Sequence, residues 1–279
     1  MGYNSALKIK VDDPDTVSNL KSTLNRFLED FRSISTQGLQ LRRSSILPGG
    51  KADQNANDLL LAPSDLREKF IGPEGVAVLS ESSRLLRQRN PQDADAFLYQ
   101  GIALDGKPAL EQFDQAQALQ PKLIPVYFWR GNARYTQGDL AGAITDYNLA
   151  IQLNPKYADA YNNRGITRSD QGDLAGAITD YNLAIQLNPK YATAYYNRAI
   201  TRSDQGDLAG AITDYNLAIQ LDPKDADAYY NRGRAYQALK QYKQALADLN
   251  QAIELGLKDA IPDRDKVLQL LQSIPSSGN

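Results

Sequence analysis

The residue types most often used in catalysis are partly missing from this chain. Its 279 residues include no cysteine and no histidine. This excludes thiolate nucleophiles, imidazole bases, disulfides and every metal, haem or iron–sulfur site that needs Cys or His. Carboxylate, lysine, tyrosine and serine remain, but the N-terminal quarter shows no nucleophile–base pair and no paired carboxylates at a spacing that places them on one surface. We therefore expect no catalytic residues, no metal site and no cofactor, and we predict that the protein is not an enzyme.

Asparagines recur at one position in the second half of the chain. Asn163, Asn197 and Asn231 are spaced 34 residues apart, and Trp129 stands at the same position one step earlier. An asparagine side chain donates and accepts hydrogen bonds at once, so a ladder of them can hold the backbone of an extended peptide. The alternative is that these asparagines cap or bridge adjacent repeats and recur only because the repeats were duplicated. The sequence leaves both interpretations open.

Two neighbouring columns share this spacing. The first is rich in aromatic residues and consists of Phe128, Asn162, Tyr196 and Tyr230. The second is mixed and consists of Asn132, Ile166, Ile200 and Arg234. Aromatic side chains supply stacking and apolar contact at binding hot spots. The three columns together form the predicted peptide-binding site.

Arginines recur with the same period at two positions. They are Arg130, Arg164, Arg198 and Arg232 at the first, and Arg134, Arg168 and Arg202 at the second. One interpretation is a basic stripe for an acidic partner. However, aspartates follow in register at Asp146, Asp180, Asp214 and Asp248. Because guanidinium and carboxylate groups readily form two-pronged pairs, we favour pairing within each repeat.

A glycine-rich segment at 48–51 superficially suggests a phosphate-binding loop. Ala52 follows Lys51 where such a loop has Ser or Thr, and no glycine stands five positions before Gly50. We expect no nucleotide site and interpret residues 48–58 as a linker, because they are rich in Gly, Asn, Asp and Gln.

The charge and hydropathy pattern narrows the partner classes. The net charge is −2 with both signs interspersed, so nucleic acid is not an expected partner. No stretch approaches the roughly 18 apolar residues of a membrane span. The first ten residues lack the apolar run of a secretory signal, so a cytoplasmic location is the default expectation.

Sequence repeats must position these columns. Asp139, Asp173 and Asp207 are each the first residue of an identical segment, DLAGAITDYNLAIQL. Apolar and small residues recur at helical spacing on both sides of Gly172, which suits the left-handed residue after a helix. Asp173 suits the N-cap of the next helix, and Pro189 ends it. Each unit is therefore predicted to be an antiparallel pair of helices.

The period and residues resemble the tetratricopeptide repeat (TPR) family, whose signature contains an aromatic residue, Gly, Ala, a second aromatic residue and Pro, in that order. Two units carry this order, at Tyr127, Gly131, Ala143, Tyr147 and Pro155 and at Tyr161, Gly165, Ala177, Tyr181 and Pro189. A third, at Tyr195, Ala199, Ala211, Tyr215 and Pro223, keeps it except that Ala199 stands at the Gly position. Two family positions, a Leu and a Tyr, are Arg164 and Arg168 here. Near-identical tandem copies of this kind are in the style of bacterial, and specifically cyanobacterial, TPR proteins.

The resemblance implies a mainly α fold, a TPR helical solenoid of about five helix–turn–helix repeats. We place these repeats at 93–122, 123–156, 157–190, 191–224 and 225–256, followed by a capping helix and tail in 257–279. The first of them is short, so its first helix is expected to have lost a turn. Residues 63–92 are interpreted as a degenerate helical pair with helices at 64–70 and 74–89. Residues 1–62 are expected to form a small βαβ-like module, with strands at 6–11 and 38–46 around a helix at 17–34, plus the linker.

In the TPR family, the first helix of each repeat lines a concave groove, and the resemblance places the three columns there. It implies a protein–protein interaction scaffold or adaptor that binds an extended peptide or a helix of a partner protein. The basic positions with which some family members grip a chaperone C-terminal tail fall on Phe128, Thr193 and Asn197, so that tail is not the expected partner. Two alternatives remain. The array recruits the target of an N-terminal regulatory or effector module, or it mediates self-association.

Overall fold

The computed structural model describes residues 72–273 together with Ser18, Lys21, Ser22 and Leu24, and nearly all of these residues lie in helices or the short turns between them. No strand occurs in this described part of the chain. The strands expected at 6–11 and 38–46, the linker at 48–58 and the helix at 64–70 fall outside it. The βαβ-like module is therefore not supported, whereas the helical state of Lys21 and Leu24 agrees with the helix expected at 17–34.

Twelve α-helices follow one another in residues 72–273. They are α1 (Gly72–Arg89), α2 (Ala94–Ala103), α3 (Gly106–Leu119), α4 (Ile124–Thr136), α5 (Leu140–Leu153), α6 (Ala158–Asp170), α7 (Leu174–Leu187), α8 (Ala192–Asp204), α9 (Leu208–Leu221), α10 (Ala226–Ala238), α11 (Tyr242–Glu254) and α12 (Ile261–Ser273). A short 3-10 helix, Lys258–Ala260, precedes α12. Helix α2 has 10 residues whereas α4 has 13, which confirms the lost turn.

The helix ends follow the local rules predicted from the sequence. Gly172 has φ +87°, the left-handed conformation that favours glycine. The Asp173 carboxylate accepts a hydrogen bond of 2.9 Å from the backbone N–H of Gly176 and so caps α7. At the other end, Asn188 is extended because Pro189 follows it. The equivalent turns before α5 and α9 repeat this geometry.

The described residues divide between two compact units, one ending at Gln171 and the other beginning at Gly172. In the first unit, α1 to α6 pack in order, and the first helices α2, α4 and α6 also contact one another in series. In the second unit, α7 to α12 pack in order and α8 contacts α10. The first helices of successive repeats therefore share one face within each unit.

Small and aromatic side chains form the core of both units. In the first, Phe128 lies 6.3 Å from Tyr147 between ring centroids. In the second, Tyr196 and Tyr215 meet edge to face at 5.9 Å. The last helix, α12, buries Val267 completely against the cluster of α11, as the predicted capping helix requires.

Candidate functional site

The predicted peptide-binding columns lie on the first helices α4, α6, α8 and α10, but most of their side chains are closed to solvent. Nine of the twelve are buried: Phe128, Trp129, Asn132, Asn162, Asn163, Ile166, Tyr196, Asn197 and Ile200. The other three, Tyr230, Asn231 and Arg234, are half-buried. Only the α10 members of the three columns are therefore reachable from solvent without a structural change.

In the first unit, the column asparagines bridge adjacent repeats. The Tyr147 hydroxyl donates to Asn132 Oδ1 at 2.7 Å, and Asn163 Nδ2 donates to the same oxygen at 3.0 Å. Asn162 Nδ2 in turn donates to Asn163 Oδ1 at 3.2 Å. Burial and the neighbouring Asp146 raise the pKa of Tyr147 well above its ordinary value, so its hydroxyl stays a donor. These bonds give the asparagines a structural role, whereas peptide contact stays a prediction.

In the second unit, α10 presents three polar side chains at one face. Asn231 Nδ2 donates to the Tyr196 hydroxyl at 2.9 Å. The Tyr230 hydroxyl donates to Asp263 Oδ2 at 2.8 Å, and the Arg234 guanidinium carbon lies 5.6 Å from the Tyr230 ring centroid. Burial and the bond to Asp263 raise the pKa of Tyr230 to about 12. This face thus offers a hydroxyl, an amide and a guanidinium within one helical turn.

Arginine–aspartate pairs tie the two helices of a repeat together in the first unit. Arg130 Nε and Nη2 donate to the two oxygens of Asp146, at 2.9 and 2.6 Å. Arg134 Nη1 lies 2.9 Å from Asp146 Oδ2. Burial acts to lower the pKa of Arg130, but the hydrogen bonds and negative charges of Asp146 and Asp114 together outweigh it and the pKa of Arg130 is raised. The predicted pairing is confirmed here.

The same pairing recurs in the second unit. Arg198 holds Asp214 with bonds of 2.8 and 2.6 Å, and Arg202 Nη1 adds a third contact at 2.8 Å. Arg232 holds Asp248 with bonds of 2.7 and 2.6 Å. These guanidinium charges are neutralised locally, so the paired arginines do not form a free basic stripe.

A contact that sequence reasoning missed joins the N-terminal part of the chain to the first complete repeat. Lys21 Nζ lies 2.8 Å from Asp93 Oδ2 and 2.7 Å from Asp95 Oδ2. Burial lowers the pKa of Lys21, but the hydrogen bonds to both carboxylates outweigh it and the pKa is raised. Leu24, one turn further along, is only 3% exposed. No periodicity connects residues so far apart in the sequence, so no signal could have revealed this contact.

A second missed feature is an acidic group at the start of α10. Burial, together with Asp225 and Asp259, raises the pKa of Asp227 to about 6.

Across the described ranges, no set of three or more acidic, His or Cys side chains is arranged to hold a metal ion. In the same ranges, no helix combines the length and the apolar character that crossing a bilayer requires.

Family comparison agrees with the helix pairs and caps. The TPR repeat family profile matches residues 131–169, 167–206 and 201–240, and a second tetratricopeptide repeat profile matches 226–256. Residues 131–256 thus carry tetratricopeptide repeats. No curated protein sequence gives a match.

Solved structures share the fold. YrrB, a TPR protein with an unusual peptide-binding site, aligns with a TM-score of 0.54 and 21% identity, covering 69% of this chain and 99% of YrrB. MamA from Desulfovibrio magneticus RS-1 aligns with a TM-score of 0.51 and 17% identity, covering 64% of this chain and 94% of MamA. A chain of the Cut9–Hcn1 hetero-tetramer of the APC/C aligns with a TM-score of 0.58 and 22% identity, covering 78% of this chain and 47% of that one. At these identities the likeness shows the fold alone.

Proposed function

We propose that this protein is an interaction scaffold or adaptor that binds an extended peptide or a helix of a partner protein on the first-helix face of its repeats. It acts by binding rather than by catalysis. The observation that carries the proposal is the α10 face, where Tyr230, Asn231 and Arg234 stay accessible on a TPR first helix. The peptide-binding site named for YrrB, which has the same fold, adds motivation.

The chemistry of this face suits a polypeptide. The Asn231 amide oxygen can accept from a peptide N–H, while its Nδ2 donates to the Tyr196 hydroxyl and to the Asp227 carbonyl and so holds that oxygen in place. Tyr230 offers ring area together with a hydroxyl, and Arg234 offers a planar set of donors. Asp263, which holds both Tyr230 and Arg234, fixes their direction. A partner would thus meet a pre-oriented surface, which lowers the entropic cost of binding.

The nine buried column residues enter this proposal differently. Contact with Asn163 or Asn197 requires that the first-helix face first open, because both side chains have 0% exposure. Opening would break bonds such as that from Asn163 to Asn132. Breaking such a buried bond costs about 1–3 kcal/mol when no new partner replaces it. We therefore propose that α10 makes the first contact and that the buried columns join only as a bound segment replaces the broken bonds.

Affinity capture with variants of the full chain tests the site. The single variants Asn231→Ala and Arg234→Ala are each expected to capture fewer partner proteins than the wild type. The double variant with Asn163→Ala and Asn197→Ala is expected to show a smaller loss. The matched control changes Asn182 and Asn216 to Ala, because these asparagines are exposed and repeat with the same period on the second helices. Circular dichroism checks that each variant is folded. Full capture by both α10 variants would contradict the proposal.

A second candidate function is favoured by the Lys21 contact. Lys21 is held by Asp93 and Asp95 at the start of α2, which ties the N-terminal segment to the array at this residue. We propose that this segment regulates access to the array. Lys21→Ala is then expected to increase partner capture several-fold, whereas Lys21→Arg, which keeps the charge, is not. Lys122→Ala, an exposed lysine in the same unit, is the control. Unchanged capture by Lys21→Ala would rule out this regulatory role.

A further inference from the structure

A polar cleft opens between α1 and α2, away from the three columns. Its volume is about 410 Å³, and its lining consists of Ser83, Arg84, Arg87 and Gln88 from α1 and Gln100 from α2. Ser83 is 1% exposed, so its backbone is anchored in the core, while the two arginines reach into solvent. All five lining side chains carry hydrogen-bond donors, and none is a carboxylate.

Arg87 is held in place without a neutralising partner among the described residues. Its guanidinium carbon lies 4.4 Å from the centroid of the Phe97 ring. A stacked guanidinium keeps its in-plane N–H groups available for an oxygen acceptor. In the described part of the chain, no carboxylate pairs with Arg87, whereas Arg130 and Arg198 are fully engaged by buried aspartates.

The second arginine of the cleft is held back by a solvent-exposed pair. Arg84 donates to Glu81, one turn earlier on the same helix, from Nε to Oε2 at 2.7 Å and from Nη2 to Oε1. The Arg84 side chain is 53% exposed, so solvent weakens this pair and a competing anion can displace Glu81. The cleft therefore holds one unneutralised guanidinium and a second that is easily released.

A simpler explanation of these charges exists. Arginines in the last turn of a helix favour the negative end of its dipole, and Arg87 and Arg89 lie in the last turn of α1. That explains the charge of the helix end. It does not explain the convergence of Arg84, Arg87 and two glutamine amides on one cleft, or the ring that fixes Arg87.

We propose that the α1–α2 cleft binds an anionic side chain of a partner polypeptide, a phosphoserine or a glutamate. Its oxygen atoms would accept from Arg87 in a two-pronged arrangement and from Arg84 after Glu81 is displaced. Gln88 and Gln100 would supply further donors at the rim. The proposal does not depend on the first-helix face, because none of the five lining residues belongs to the three columns.

Fluorescence anisotropy with three labelled peptides tests the cleft. The peptides differ only at the central residue, which is phosphoserine, glutamate or serine, and each is titrated with the full chain at low salt. At least one anionic peptide is expected to bind at least tenfold more tightly than the serine peptide. Preference for phosphoserine assigns the site to phosphate, preference for glutamate assigns it to carboxylate, and equal binding of the two assigns it to anionic side chains of either kind.

Variants make the test specific to the cleft. Arg87→Ala is expected to lower the affinity for the anionic peptide tenfold or more. The affinity of Arg87→Lys is expected to lie between those of the wild type and Arg87→Ala, because lysine keeps the charge but not the planar fork. Glu81→Gln is expected to strengthen binding, because it frees Arg84. The control is Arg264→Ala, which removes an arginine of the second unit that, among the described residues, pairs with its neighbour Asp265.

Two results would overturn the inference. One is that the three peptides bind the wild-type chain equally. The other is that Arg87→Ala, shown to be folded by circular dichroism, binds the anionic peptide as well as the wild type does. Loss of binding in Asn231→Ala would not bear on the cleft, so failure here and failure of the first-helix face are distinguishable.

Discussion

Arg130 and Asp146 meet across α4 and α5 in a two-pronged pair, with distances of 2.9 Å from Nε to Oδ2 and 2.6 Å from Nη2 to Oδ1. The Asp146 side chain has 0% exposure, so its charge has no water to stabilise it. Each repeat of this kind places a carboxylate inside the helix pair and surrounds it with guanidinium groups. The pair therefore fixes how the two helices of the repeat lie against each other.

Removing the buried carboxylate is expected to be costly. Asp146→Ala leaves Arg130 and Arg134 without their shared partner, and breaking a buried pair in this way costs about 3–5 kcal/mol. The measurement is urea denaturation followed by circular dichroism. Asp114→Ala is the matched control, because Asp114 binds the same Arg130 but its side chain is 59% exposed. That change is expected to cost about 1 kcal/mol or less, and equal losses would contradict this account.

Close packing against Tyr147 makes Gly131 sensitive to a single methyl group. A Cβ at this position would lie 2.7 Å from Tyr147 Cε1, and the ring is completely buried. Gly131→Ala is therefore expected to destabilise the protein by about 1–3 kcal/mol. Gly233→Ala is the comparison, because the nearest atom there is 3.2 Å away. Thermal unfolding of the two variants ranks them, and a larger loss for Gly233→Ala would contradict the packing argument.

The sequence predicted what depends on local rules. Gly172, Asp173 and Pro189 each act through the backbone of a few neighbouring residues, so their roles follow from residue type alone. The pairing of Arg130 with Asp146 was also predictable, because matching periods place the two residues in register on adjacent helices.

Features that depend on packing could not be predicted in this way. A 34-residue period shows that Asn132 and Asn163 share a face with the other column residues, but not that this face is closed. The Lys21–Asp93 contact and the stacking of Arg87 on Phe97 join residues outside the regular repeat. Such contacts carry no periodic signal, so only the structure reveals them.

The asparagine bridge between repeats gives a third prediction. Asn163→Ala removes the donor to Asn132 Oδ1 and the acceptor of Asn162 Nδ2 in a buried site. The expected loss of unfolding free energy is about 1–3 kcal/mol. Asn148→Ala serves as the control, because this exposed asparagine accepts only at the surface, from Arg164, and is expected to cost under about 1 kcal/mol. Chemical denaturation measures both, and similar stabilities would show that the bridge contributes little.

The half-buried Asp227 of α10 makes stability depend on pH. The pKa of Asp227 is raised from an ordinary value of 3.8 to about 6 by burial, with Asp225 and Asp259 adding to the effect. The folded state therefore binds this proton more tightly than the unfolded state does. It follows that ionisation of Asp227 lowers the free energy of unfolding of the protein as the pH rises from about 4 through about 6, by up to about 3 kcal/mol.

Replacing Asp227 with asparagine isolates that effect, because the amide keeps the shape but cannot ionise. Asp227→Asn is expected to be more stable than the wild type at pH 7.5 and to match it near pH 4, where the carboxyl group is neutral in both states. Urea denaturation across this pH range measures the difference. Asp222→Asn is the control, because asparagine already stands at the equivalent position in two other repeats, as Asn154 and Asn188. A wild-type curve parallel to that of Asp227→Asn would mean that Asp227 ionises as readily in the fold as outside it, so burial and the two neighbouring carboxylates would not control its charge.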